Sequence, residues 1–191
     1  MEDGSARFRR LIEPVHDKAL AFARCISRSR SDGDDLFQEA LVRALVKLDA
    51  LREDGAFRSW LYRIVITVHR NRCRRAFWSR FLPLGTDAES DDHRAHISGS
   101  DYRTSDWSPD AAEATQRART ALAALPVVQR EAIVLFEIEG WQVDEIAEIQ
   151  AVSASAVKSR LARGRERLRA FYEHQFRSDG VPTPVVSGDT P

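Results

Sequence analysis

The 191-residue chain is short of most features that mark special classes of protein. It has no run of roughly eighteen apolar residues, so nothing in it reads as a membrane-spanning helix. Two cysteines, Cys25 and Cys73, cannot build a disulfide framework or a four-thiolate zinc site. The opening MEDGSARFRR is polar and has no apolar core behind it, which argues against a secretory signal and for the cytoplasm. There is no glycine-rich phosphate loop, nucleophile elbow or zinc signature. His93 and His96 stand close together, but two histidines in a polar segment do not make a metal site. No metal, cofactor or catalytic residue is therefore expected. Strand-type alternation and internal repeats are missing as well.

Net charge is also lacking, because 29 Lys and Arg balance 29 Asp and Glu. The two signs are segregated along the chain. Residues 58–80 hold seven arginines and no acid; residues 131–150 hold six acids and no base. Residues 81–115 are acidic, and 152–177 carry seven basic residues against two acids. Clustered arginines on short segments suit a phosphate backbone, although a solvated, salt-bridged helix face has the same composition.

The composition is that of a soluble globular protein, and apolar spacing implies helices throughout. Ala6 to Ser29 reads as one helix interrupted by Pro14, which should bend it or mark its true start. Ser31-Asp32-Gly33-Asp34 reads as a turn with helix-start chemistry. Leu36, Phe37, Ala40, Leu41, Ala44, Leu45 and Leu48 then make one apolar stripe, with Asp34 and Asp35 in the first turn. In the third helix Phe57, Trp60, Leu61, Ile64, Val65 and Val68 form the inner stripe, and Arg63, Thr67, Arg70 and Arg74 lie opposite. Cys25 falls on an apolar side; Cys73 lies among arginines, which favour a thiolate.

Residues 82–108 lose all periodicity and read as a flexible acidic linker. Ser108-Pro109-Asp110 restarts helix, which runs to Leu125; Pro126 opens another that Gly140 closes. A short helix from Val143 to Ile149, a turn near Ala151 and a long helix from about Ser153 follow. Residues 178–191 read as a disordered tail. The fold class is thus all-α: two small helical domains, 1–81 and 109–177, joined by that linker.

Residues 143–165 have helix-turn-helix spacing. Ala147 is small where two helices would cross, Ala151 stands at the turn, and Val157 anchors the second helix. In such motifs the start of the second helix enters the major groove. An ordinary helical hairpin has the same spacing, and the basic flank favours DNA.

The segments Asp34-Asp35-Leu36-Phe37-Gln38-Glu39-Ala40 and Phe57-Arg58-Ser59-Trp60-Leu61-Tyr62-Arg63-Ile64 resemble the second conserved region of sigma-seventy-family factors. Leu125-Pro126, Gln129-Arg130, Gly140, Glu145-Ile146-Ala147 and the run Val157 to Arg165 resemble their fourth region. The two regions in a short chain resemble the extracytoplasmic-function group. The resemblance implies a bacterial initiation factor with no catalysis of its own.

By that resemblance, Asp35, Gln38, Glu39 and Arg43 would dock on the beta-prime clamp helices of core RNA polymerase. Leu51, Arg52, Arg63, Thr67, Arg70, Asn71 and Arg74 would open and hold the minus-ten promoter element. Ser155, Lys158, Ser159, Ala162 and Arg163 would read the minus-thirty-five element, with the same domain gripping the beta flap. The resemblance further implies an anti-sigma partner. A stand-alone helix-turn-helix regulator and a pure protein-interaction module are the alternatives.

Overall fold

The computed structural model describes the backbone of residues 4–81 and 109–178, and the side chains of 4–79 and 113–175. The expectations for the linker, for His93 and His96 and for all but the first residue of the tail lie outside these residues. The described residues are helical, with no strand among them.

Pro14 divides the first predicted helix into α1 (Gly4–Ile12) and α2 (His16–Ile26). Its ring cannot continue a helix through its own position without the loss of a hydrogen bond. Helix α3 (Arg30–Val46) starts earlier than the sequence suggests. Ser29 caps it, its hydroxyl accepting from the Asp32 N–H at 3.1 Å, so Ser31 to Asp34 are its first turn rather than a loop. Gly33 is buried there, and a Cβ would stand 2.5 Å from the Arg24 Cα. Glycine is what lets α3 lie so close on α2. Two short 3-10 turns, Leu48–Ala50 and Asp54–Ala56, lead into α4 (Phe57–Phe81). Asp54 accepts from Arg7 at 2.6 Å and Arg10 at 2.9 Å, tying this loop to α1. The Arg7 and Arg10 guanidiniums hold the Asp54 carboxyl below the usual carboxylate range.

The interior of the first half follows the apolar stripes. Phe22, Ile26, Leu36, Phe37, Ala40, Leu61, Val65 and Val68 are buried together. Leu45 departs from the expected stripe: it is 46% exposed, beside Val42 and Val46.

The second half comprises α5 (Pro109–Ala123), α6 (Val127–Ile133), a π-helical turn (Val134–Ile138), α7 (Val143–Gln150) and α8 (Ala154–Ser178). Gly140 takes φ +72°, the left-handed conformation that ends the preceding helical run. Gly164 lets α8 approach α6, where a Cβ would meet Ile133 Cγ1 at 2.9 Å. Ile146 and Val157 are fully buried between α7 and α8. The Gln142 N–H donates to Glu145 Oε2 at 2.8 Å, and the Ala156 N–H donates to Ser153 Oγ at 3.2 Å, so both helices of the motif are capped.

Ala151 makes the turn between them at φ +53°. A Cβ is unfavourable in that conformation by about 1–2 kcal/mol, partly offset by the freedom glycine has when unfolded. Ala151→Gly is expected to stabilise the chain by about 0.5–1 kcal/mol, raising the melting midpoint by roughly 1–4 °C. An unchanged or lower midpoint in a calorimetric scan would refute that account of the turn.

The two halves do not stand apart. Helix α4 packs against α7, and α2 against α5, α6 and the π turn, so that one continuous apolar core runs through both. Sequence reading treats them as separate bodies because each has its own apolar stripes. The extra burial comes from residues such as Tyr62 and Trp141, whose rings meet at 5.2 Å across the junction.

Candidate nucleic-acid interface

Ser155, Lys158, Ser159, Ala162 and Arg163 all lie exposed on the first turns of α8. Their spacing of three and four residues puts them on one face. Lys158 and Arg163 have no ion-pair partner among the described residues. Arg160 differs, since it turns inward and donates to Gln150 Oε1 at 2.7 Å, bracing the motif. Burial lowers the pKa of its guanidinium, and the nearby Arg70 charge acts in the same direction. This surface is an exposed cationic helix start in the second helix of a helix-turn-helix.

The candidate minus-ten residues have a different setting. Leu51 is only 5% exposed, and its carbonyl accepts from Arg7 at 3.1 Å, so its side chain is core. Arg52 is exposed. Leu51, Arg52, Trp60 and Arg63 line an open cavity of about 310 Å³ whose far wall is Glu148 and Ile149 of α7. Trp60 is half-buried beside Phe57 rather than fully core. Arg63 Nε donates to the Glu148 carbonyl at 3.1 Å. Thr67 donates to the Arg63 carbonyl at 2.8 Å, and Arg74 to Asn71 Oδ1 at 2.9 Å.

Arg70 reaches furthest across. Its guanidinium donates to Glu131 Oε2 at 2.7 Å and 3.0 Å and to the Gln150 carbonyl at 3.3 Å. Glu131 is fully buried, and its other oxygen stands 3.0 Å from His69 Nδ1. Burial opposes charge on His69, but hydrogen bonds with Cys73 and Glu131 outweigh it and push its pKa up to about 9. Nearby, Tyr62 donates to Glu139 Oε2 at 2.6 Å, and Arg58 lies 4.0 Å over the Trp141 ring. The arginine-rich segment 58–80 therefore meets the acidic segment 131–150. Glu131, Glu139 and the Glu148 carbonyl occupy the arginines as phosphate oxygens could.

On the opposite side of the first half, Asp35 and Gln38 are exposed on α3. Glu39 accepts from Arg43 at 2.6 Å and from Arg72 at 2.8 Å. Its slight burial is outweighed by these two cations, which hold its pKa below the usual range. Arg72 also donates to the Asp35 carbonyl at 3.1 Å. Sequence reading missed the exposed Val42 and Val46 beside this group, 64% and 77% accessible. The signal was present, since both lie off the inner stripe of α3 by helical spacing.

Two family descriptions match the chain: sigma-70 region 2 over residues 11–79 and sigma-70 region 4 over residues 115–168. Together they span most of the described residues, first half and second half in turn. The chain is a sigma-70-family factor.

Its relatives place it in the extracytoplasmic-function (ECF) group. It is 34% identical over 161 residues to the ECF RNA polymerase sigma factor SigM of Mycobacterium tuberculosis, covering 84% of this chain and 74% of that one. It is 31% identical over 156 residues to the ECF RNA polymerase sigma-E factor of Escherichia coli K12, covering 76% and 78%. Among solved structures, it resembles the sigma factor RpoE of Bartonella quintana in complex with the anti-sigma factor NepR. That match has a TM-score of 0.62 and 26% identity, covering 87% of this chain and 96% of that one. It also resembles CnrH in complex with the cytosolic domain of CnrY, with a TM-score of 0.59, 27% identity and coverage of 87% and 88%. The sigma factor is thus an all-α initiation factor that directs RNA polymerase to promoters.

Proposed function

We propose that the arrangement described is the closed, promoter-incompetent form of this sigma factor, and that binding to core RNA polymerase opens it. The observation that carries this reading is the engagement of Arg63 and Arg70 by the second half. A melted promoter strand and α7 cannot hold the same guanidiniums at once. In the open form, Arg52, Arg63, Thr67, Arg70, Asn71 and Arg74 face the minus-ten element, and Leu51 shapes their loop from within. Unpaired bases held there are stabilised by stacking and by groove charge. The α8 face of Ser155, Lys158, Ser159, Ala162 and Arg163 reads the minus-thirty-five element.

The polar group Asp35, Gln38, Glu39 and Arg43, with Val42 and Val46 beside it, suits a helical partner that offers both apolar and charged contacts. We assign it to the beta-prime clamp helices, and the beta flap to the second half. Domain bounds of 1–81 and 109–177 follow from these roles, with 82–108 as the acidic tether. The polymerase performs the chemistry, and the sigma factor supplies specificity. RpoE is described in complex with the anti-sigma factor NepR, which supports a similar inhibitor here, acting in the cytoplasm on the closed form.

The test is Arg163→Ala. Loss of one groove contact is expected to weaken promoter binding by the assembled holoenzyme about 10- to 100-fold. Capture of core polymerase in a pull-down should be unchanged. Equal loss of both would defeat the assignment of roles to the two halves. The purified factor should also yield specific run-off transcripts with core polymerase, whereas a stand-alone regulator would bind promoter DNA and yield none.

A further inference from the structure

The junction between the halves contains a nucleophile that promoter binding does not use. Cys73 Sγ stands 3.5 Å from His69 Nε2, and the other ring nitrogen of His69 stands 3.0 Å from Glu131 Oε1. Thiol, imidazole and buried carboxylate thus form one relay, with the carboxylate contributed by the second half. A third group that orients the imidazole is what allows a histidine to take up a thiol proton. Arg130 adds a further charge: it is 6% exposed, its guanidinium feels the Cys73 charge, and its Nε has no hydrogen-bond partner among the described residues. Cys73 itself is partly accessible.

We propose that Cys73 is a thiol modification site, oxidised by hydroperoxides in the closed form, and that its oxidation releases the second half from the first. The proposal rests on the closed-form reading given above.

The chemistry is a two-electron oxidation. The Cys73 proton rests on His69, and the thiolate attacks the terminal oxygen of a hydroperoxide. A sulfur–oxygen bond forms, and the oxygen–oxygen bond breaks with its electron pair on the departing oxygen. That oxygen takes the proton from His69 and leaves as water or an alcohol. Sulfur is oxidised to a sulfenic acid and the peroxide is reduced. The product is bulkier than the thiol and uncharged, so His69 has lost the anion that helped keep it protonated. The junction then holds Glu131 with one cationic partner fewer and has an extra oxygen to accommodate.

The chain carries its own reference thiol. Burial pushes the Cys25 thiol up, whereas the hydrogen bond from His69 draws Cys73 down, and the His69 and Arg28 charges add to this. Reactivity follows the thiolate fraction, so the two should differ widely at neutral pH.

The experiment uses the full chain with both cysteines in separate samples, one treated with iodoacetamide, one with hydrogen peroxide plus a dione that traps sulfenic acids, and one with hydrogen peroxide alone. Mass spectrometry reads each site, and small-angle X-ray scattering reads the separation of the halves. Cys73 is expected to alkylate about tenfold or more faster than Cys25 at pH 7. It should also be the trapped sulfenic acid, and His69→Gln should slow both reactions about tenfold with helicity at 222 nm unchanged. In the sample given peroxide alone, the radius of gyration should rise with Cys73 conversion and return with dithiothreitol. Cys73→Ser should stay closed and ignore peroxide. A chain already extended before peroxide overturns the closed-form reading and the proposal with it. A closed chain whose Cys73 reacts no faster than Cys25, or that stays closed at full conversion, overturns the proposal alone.

Discussion

Glutamine in place of Glu131 is expected to open the closed chain. The side chain keeps its shape and loses its charge. In the wild-type protein Glu131 is fully buried and answers Arg70 at 2.7 Å and His69 at 3.0 Å, with Gln150 Nε2 at 3.5 Å. Taking one partner from a buried pair leaves the other charges unanswered, at a cost of about 3–5 kcal/mol. The lower end applies here, because the Arg70 side chain is 32% exposed and water partly screens it. About 3 kcal/mol shifts the closed-to-open ratio on the order of 100-fold. Scattering should show expansion, and a single-stranded minus-ten oligonucleotide should bind more tightly. If helicity falls together with the expansion, Glu131 holds the second half together instead, through Gln150 and Arg160.

Trp141→Ala is expected to have an effect of the same size by a different route. The indole is 5% exposed, with Arg58 at 4.0 Å over one face and the Tyr62 ring 5.2 Å away. Truncating a buried tryptophan costs about 3–5 kcal/mol, and at a junction of this kind such a residue dominates the contact. The loss is one of apolar area and ring contact, so raised salt should change it little, whereas the Glu131→Gln effect should shrink only as far as salt reaches the partly exposed Arg70. Trp141 Nε1 has no hydrogen-bond partner among the described residues, so phenylalanine at this position should cost far less than alanine. Equal effects of the two substitutions would show that the ring contacts are not what holds the halves closed.

Much of the helical architecture could be read from apolar spacing alone. Pro14 announced the break between α1 and α2, and Gly140 and Ala151 marked their turns. Ser29 was missed as a cap because the glycine and aspartates after it have turn chemistry. Only the close approach of α2 makes Gly33 a helical residue, and that approach is a tertiary fact. The α8 face was legible because its five residues share helical spacing and none of the described residues covers them. Arg63 and Arg70 were assigned to the right helix, but their present partners come from residues more than sixty positions away.

By itself, the order of residues determined which segments become helices, where the helix-turn-helix lies and where each sign of charge collects, because these depend on neighbours three and four positions apart. Only the tertiary structure decided that the acidic segment 131–150 lies against the arginines of α4, that Glu131 is sealed from water, and that Cys73 lies beside His69 at the junction of the halves. Those outcomes depend on which surfaces exclude water together. Local spacing does not encode that choice; the packing of complementary shapes and charges across the whole chain does.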